Sequence, residues 1–318
     1  MSNTVPRATV GRDTFDPARL AEFWWFVCER QAIWHRRCVE RQPPPWTDDP
    51  VLRGTRFTNV YRELDPGTCY TILEILERDA PEPDRVFNVM LYRLIGRAQT
   101  HAALGFQELA RFDAGRLATG LQAIRASGAP PFTAAYTVSA YRSMGSADKC
   151  ENVARLFGRL AEDFTGFHAR LIAAASPSAA HGVLGSPYGL GNFLAYQVFV
   201  DLTYPLAPDG RGVLPFSQDD WASAGPGARR GIAALTGSRE GIDDLAVMRR
   251  LRDEQQAEFD RLGLCFRALR DASGGPVPLT LANIQNCLCE FHKYVKIRAG
   301  TGRGRRRFEA GPATAAAR

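Results

Sequence analysis

The stretch from about Asp148 to Ala175 constrains the fold more than any other part of the chain. Val153, Leu156, Phe157, Leu160, Phe164, Phe167 and Leu171 recur there at three- and four-residue steps, which sets them on one side of an α-helix. So apolar a side must be covered, and the rest of the sequence offers helices to cover it. Asp16-Pro17 reads as an N-cap and first turn. The stripe it opens, with Leu20, Phe23, Val27 and Trp34, runs to about Arg41, where Pro43-Pro44-Pro45 stops it. Helical patterns return over about 68–79, 84–98, 113–126 (closed by Gly128), 190–204, 226–236 and 240–272, and a last helix over about 280–297 is capped by Thr280. Strand-like alternation is scarce, so the predicted class is all-α and multi-helix. The polar, aromatic stretch from Trp46 to Gly67 is too long to be a mere connector.

A chain of 318 residues has ample length for a hydrophobic core. The sequence predicts a flexible segment over 1–15 and a single helical catalytic domain over 16–298, with two lobes as the alternative division. Over 299–318 it predicts a basic tail, in which Arg303, Arg305, Arg306 and Arg307 stand among glycines ahead of an Ala/Pro end, and disorder is expected there. Met1–Arg12 is polar, and no apolar run of about 18 residues occurs, so no membrane partner and a cytoplasmic location are expected. Seven scattered cysteines (Cys28, Cys38, Cys69, Cys150, Cys265, Cys287, Cys289) read as free thiols, and no spacing among them suits a metal. The formal charge is +6, and apart from Lys149, Lys293 and Lys296 the basic residues are arginines, which suits phosphate contact and base stacking.

Two glycine-marked turns enter helices, Gly189-Leu190-Gly191 and Gly225-Pro226-Gly227-Ala228-Arg229-Arg230. A tight turn leaves free N–H groups at a helix start, where the dipole favours a phosphate. Gly189, Gly191, Gly225, Gly227, Arg229 and Arg230 are therefore candidate DNA contacts, against ordinary helix–helix turns as the alternative. Trp25, Trp34 and Trp46 lie near Arg30 and Arg37 and are candidates to stack an extruded base, against burial in a core. No G-x-x-x-x-G-K-[ST], G-x-S-x-G or strand-borne G-x-G-x-x-G occurs, so P-loop kinase, hydrolase-elbow and dinucleotide readings lack footing.

Three blocks carry a resemblance: Phe23-Trp24-Trp25-Phe26-Val27-Cys28-Glu29-Arg30 with Ile33-Trp34, then Pro45-Trp46-Thr47-Asp48-Asp49-Pro50-Val51-Leu52, then Phe57-Thr58-Asn59-Val60-Tyr61-Arg62-Glu63-Leu64-Asp65. With Gly191-x-Phe193-Leu194-Ala195-Tyr196-Gln197, Asp201-Leu202, Gly225-Pro226-Gly227-Ala228 and Leu288-Cys289-Glu290-Phe291-x-Lys293-Tyr294, they resemble the family described as the helical domain of 5-hydroxymethyluracil DNA kinase, or alpha-glutamyl/putrescinyl thymine pyrophosphorylase. The resemblance implies an architecture like that of helix-hairpin-helix DNA glycosylases. It also implies an enzyme of phages and bacteria that transfers an amino acid or polyamine to 5-pyrophosphoryloxymethyluracil in double-stranded DNA, releasing pyrophosphate. A separate hydroxymethyluracil DNA kinase would supply the substrate, and no cofactor is expected beyond a divalent cation accompanying pyrophosphate. Gln285 and His292 depart from the acidic residues expected there.

For that chemistry Arg30, Arg37, Arg62 and Lys293 are candidates to hold the leaving group. Glu29, Asp65, Asp201 and Glu290 are candidates to accept the amine's proton, and Asn59 to read the uracil edge. Arg30, Arg62 and Lys293 are expected to converge on one pocket. The rival classes are a glycosylase-like hydrolase using Asp201, Asp219 or Asp220, and a non-catalytic binder of modified DNA.

Overall fold

A computed structural model of the chain describes residues 10–302 apart from 188, 208 and 238–240. Among these, thirteen α-helices occur: α1 (Pro17–Trp34), α2 (Pro50–Gly54), α3 (Pro66–Tyr70), α4 (Glu82–Ile95), α5 (Ala98–Leu104), α6 (Ala114–Ala126), α7 (Lys149–Glu162), α8 (Phe164–Ile172), α9 (Pro177–Leu184), α10 (Asn192–Leu202), α11 (Pro226–Thr236), α12 (Asp244–Arg261) and α13 (Leu281–Arg298). No β-strand is found among the described residues, and one isolated bridge pairs Arg270 with Pro276. The class is all-α, as the periodicity predicts. No described helix is long and apolar enough to cross a membrane.

Several helix starts are legible in single residues. Asp16 accepts from the Ala18 and Arg19 amides, Asp148 from Cys150 and Thr280 from Asn283, each meeting donors that a helix start leaves unpaired. Three predicted spans end sooner than expected. The stripe over 148–175 is two helices, broken at Asp163, whose backbone (φ −131°, ψ 38°) leaves the helical region. The break still brings Phe157 and Phe164 edge-on to the Phe87 ring, at 5.4 and 5.1 Å between centroids. The helix expected over 84–98 stops at Ile95, because Gly96 turns left-handed. The one expected over 240–272 stops at Arg261, just before left-handed Gly263.

The chain divides into two compact units, Met1–Asp65 with Gln218–Arg318, and Pro66–Ser217. In the first, α1 buries Leu20, Phe23, Trp24, Phe26 and Val27. Phe23 lies edge-on to Trp24 and Phe291, and Trp24 edge-on to Phe259, with centroids 5.0–5.4 Å apart. Each fully buried ring contributes on the order of 2 kcal/mol. Helices α11 and α13 touch backbone to backbone: a Cβ on Gly231 would stand 2.1 Å from the Leu288 carbonyl oxygen, and one on Gly227 would stand 2.3 Å from Cys289 Sγ. The segment expected to be flexible over 1–15 is docked from Val10 onward. Phe15 is buried, Arg250 donates to the Val10 carbonyl at 2.8 Å, and the Asp16 amide donates to the Leu235 carbonyl at 2.8 Å. Of the predicted tail, 303–318 lies outside the described residues.

In the second unit, α4 is buried along most of its length and α10 buries Tyr196, Val198, Phe199, Val200 and Leu202. Between them lies a buried ion pair: Arg93 on α4 donates from Nε and a terminal nitrogen to the two carboxylate oxygens of Asp201 on α10. Burial opposes the arginine's charge, and Asp201 outweighs it, holding Arg93 above its ordinary value. A second polar chain crosses the same unit. The Asn88 amide nitrogen donates to the Asp84 and Gln107 carbonyls, and its oxygen accepts from the Gln107 amide. That orientation makes His101 Nε2, 3.3 Å from the Asn88 oxygen, a donor. Nδ1 is then left to accept from the Tyr70 hydroxyl at 3.0 Å. Burial, with Arg78 nearby, drops His101 to about 4, so the imidazole is neutral at pH 7.

Candidate functional site

One face of α13 organises a polar cluster in the first unit. Asn283, Asn286, Cys287, Glu290 and Lys293 recur at helical spacing and meet the Phe57–Asp65 segment. The Asn283 oxygen accepts from the Arg62 amide at 3.0 Å. The Asn286 amide donates to the Asn59 carbonyl at 3.0 Å, and its oxygen accepts from the Thr58 hydroxyl at 3.1 Å. The Thr58 amide donates to Glu290 at 3.3 Å. Lys293 donates to Glu290 at 3.2 Å and to the Arg56 carbonyl at 2.5 Å, with Nζ 4.4 Å from the Phe57 ring centroid.

Arg30 reaches this cluster from α1. Its guanidinium is buried, donates to the Thr58 carbonyl and to Cys287 Sγ at 3.6 Å, and lies 4.9 Å from the Phe26 centroid. Its Nε has no hydrogen-bond partner. Arg62, equally buried, begins a short 3-10 turn, Arg62–Leu64, that delivers Asp65. The Asp65 carboxylate accepts from the Asn59 amide at 2.8 Å, while the Asn59 side chain donates to the Leu64 carbonyl at 2.7 Å. Burial pushes Asp65 up to about 6; the Asn59 amide, Arg62 and Arg30 pull it down, and Glu290 adds to the rise. The Cys289 thiol, raised to about 11 mainly by burial, also feels Glu290, Lys293, Arg30 and Arg62. Arg30, Arg62, Lys293, Asp65 and Glu290 thus share one electrostatic neighbourhood, at the end of which a carboxyl titrates near neutrality.

The other sequence candidates lie elsewhere. Glu29 pairs with Arg36 at 2.9 Å. The Arg37 guanidinium stands 5.7 Å from the Trp46 centroid, and Trp46 is buried with its Nε1 donating to the Gln42 carbonyl at 2.7 Å. Trp25 and Trp34 are half-buried. Trp25 lines a groove with Asp49, Tyr294 and Arg298, where the Tyr294 hydroxyl donates to Asp49 at 2.9 Å. Asp201 belongs to the second unit, fully buried against Arg93. Asp219 accepts from the Leu281 amide at 2.9 Å and from Arg252 at 3.1 Å, which occupies it at the start of α13. The Asp220 carbonyl accepts from Arg249 at 3.4 Å.

Among the glycine turns, Gly189 is left-handed (φ +88°), and a Cβ there would meet the Tyr141 ring at 2.7 Å. Gly191 and Gly225 precede the first residues of α10 and α11 as N-caps. Gly227 serves the α11–α13 contact. Arg229 pairs with Asp244 at 3.0 Å, and Arg230 is exposed. Sequence reasoning missed Thr58, Asn283, Asn286 and Cys287; the three- and four-residue steps from Asn283 to Lys293 were the signal that could have found the three on α13.

No solved structure matches the chain. A 5-hmdU DNA kinase of Bacillus phage SP10 is 31% identical over 298 residues, which cover 88% of this chain and 46% of the relative. The chain therefore spans about half the length of the curated relative it matches. Residues 18–304 match the family model described as the 5-hmdU DNA kinase helical domain. By that match, which takes in both units and the whole of the α13 cluster, the chain belongs to the family of the 5-hmdU DNA kinase helical domain.

Proposed function

We propose that the chain acts in hypermodification of 5-hydroxymethyluracil in DNA. In this reading the cluster on α13 transfers an amine to 5-pyrophosphoryloxymethyluracil in duplex DNA. The observation that carries it is the placing of Arg30 and Arg62 beside Asp65, a carboxyl raised to about 6, with Glu290 and its partner Lys293 in the same cluster. A polyanionic leaving group asks for several cations at once. A neutral amine gains positive charge as it attacks, and so asks for a base that is ionised at neutral pH yet able to hold a proton.

The reaction balances without an oxidant. A neutral amine nitrogen forms a bond to the exocyclic methylene carbon as the carbon–oxygen bond to pyrophosphate breaks. Pyrophosphate leaves with the bonding pair, toward Arg30, Arg62 and Lys293. The proton released from nitrogen passes to Asp65, with Glu290 as its neighbour. A divalent cation arriving with pyrophosphate, the amine, and a separate kinase that makes the activated base belong to the same proposal. So do extrusion of the nucleotide and stacking on Trp25 or Trp34. The relative's name supports action on 5-hydroxymethyluracil DNA.

The test is mass spectrometry of nucleosides from 5-pyrophosphoryloxymethyluracil duplex incubated with the protein and mixed amines. An amine adduct with stoichiometric pyrophosphate is expected. Recovery of unchanged nucleoside excludes transfer. A phosphorylated nucleoside formed from 5-hydroxymethyluracil duplex and ATP, without amine, moves the activity to the kinase step and overturns the reading.

A further inference from the structure

A second basic feature of the first unit lies outside the α13 cluster. Arg230 on α11 and His292, Val295 and Lys296 on α13, with Ala299 and Thr301, line a groove of about 520 Å³. Its ionisable side chains are all basic. Arg230 and Lys296 are exposed, and neither has an ion-pair partner among the described residues. By contrast Arg229, the adjacent residue, is held by Asp244. Burial lowers the half-buried His292 below its ordinary value, and Arg230 and then Lys296 lower it further, so both cations act on one ring. The chain beyond α13 folds back on that helix: the Thr301 amide and hydroxyl both donate to the Lys296 carbonyl at 3.1 Å. A Cβ on Gly302 would meet the Lys296 side chain at 2.7 Å. Four more arginines, at 303 and 305–307, follow in the sequence.

Unpaired like charges converging on one groove repel, and no carboxylate lines it to offset them. An anion completes such a site. We propose that the groove of Arg230, His292 and Lys296 seats phosphodiesters of the DNA backbone. Contacts of that kind position the duplex on the protein. The proposal rests on DNA as the substrate, and it assigns to the α11–α13 groove the contact that sequence alone places on the α11 turn.

The experiment is duplex affinity, by fluorescence anisotropy on unmodified DNA across a salt series, for the full chain and for Arg230→Gln/Lys296→Gln. Both side chains are exposed, so the melting temperature should not move. With one phosphate neutralised per cation, the slope of log affinity against log salt should fall by about 1.8, or roughly 60-fold in affinity at about 0.1 M salt if the two proteins converge at about 1 M. An unchanged slope overturns the proposal. So does an unchanged slope accompanied by loss of a site for free phosphate or pyrophosphate, measured calorimetrically, which would make the groove a small-anion site. Because the duplex is unmodified, binding is read apart from chemistry. A wild-type slope in the double variant with amine transfer intact sinks the groove alone, and loss of slope with no transfer in any protein sinks the transfer reading alone.

Discussion

Arg93 and Arg30 are both helical arginines with little exposure, and their surroundings differ in kind. Arg93, in the second unit, meets both oxygens of one fully buried carboxylate, so charge and hydrogen bonding are settled within the unit. Arg30, in the first, bonds a neutral carbonyl and a thiol, keeps Nε unpartnered, and has no ion-pair partner among the described residues. Asp65 feels its charge, but burial drives that carboxyl toward the neutral form. A closed pair supports folding. A buried cation bonded only to neutral groups keeps affinity for an anion and costs stability until one arrives.

The largest effect expected from this contrast is in the closed pair. Asp201→Ala leaves a largely buried, uncompensated guanidinium and should lower folding stability by about 3 kcal/mol, read from urea denaturation. A loss under about 1 kcal/mol would make Arg93 as undersatisfied as Arg30 and dissolve the comparison. In the open cluster the expected loss is in chemistry. Arg62→Ala should reduce amine transfer about 100- to 1,000-fold, the scale for removing one preorganised charge-stabilising group. Duplex affinity should stay within about twofold, because the lost interaction is made mainly in the transition state. Arg62→Lys, which keeps the charge without the fork, should recover part of the rate. Equal losses of transfer and of duplex binding would turn Arg62 into a DNA contact.

The two regions were unequally legible. Helix class, the caps at Asp16, Asp148 and Thr280 and the long stripes are local signals, read from neighbours three or four residues apart. The Arg93–Asp201 pair spans 108 residues, and Arg93 lay inside an ordinary amphipathic pattern, so nothing local marked it. Asp201 stood out as a free acid only because its partner was invisible. Residues of the α13 cluster were singled out through resemblance, since Asn59, Arg62 and Asp65 occupy an irregular stretch with no periodicity to read. Gly227 and Gly231 show a signal with two meanings. A glycine in the turn that opens a helix suits a phosphate, while glycines four apart suit two helices whose backbones touch, which is where the fold puts Gly227 and Gly231.

Acid should separate the units in opposite directions. His101 falls to about 4 when folded, against about 6.5 unfolded. Above pH 6.5 both states are neutral. Between 6.5 and 4 only the unfolded chain takes the proton, so stability drops as pH falls, by about 3 kcal/mol in all. His101→Gln keeps a donor for Asn88 and removes the titration, so it should flatten the stability profile over that window. A profile unchanged by the substitution would mean that the imidazole titrates freely and that the Tyr70–His101–Asn88 chain is not closed.

Asp65 should do the reverse. Its carboxyl is raised to about 6 in the folded chain, from an ordinary value near 3.8. Between those limits the folded state holds more protons, so its stability falls as pH rises and is lowest above pH 6. With the half-buried position discounted, the cost at pH 8 is about 2 kcal/mol. Asp65→Asn keeps an oxygen for the Asn59 amide and carries no charge to desolvate. It should therefore stabilise the protein by about that amount at pH 8 and by almost nothing at pH 4, while removing the proton acceptor and with it amine transfer. A purely structural Asp65 gives the opposite sign: neutralising it strips Arg30 and Arg62 of compensation, and the variant melts lower at pH 8. Thermal unfolding at the two pH values, beside a transfer assay, distinguishes a carboxylate kept at a cost to folding from one kept for it.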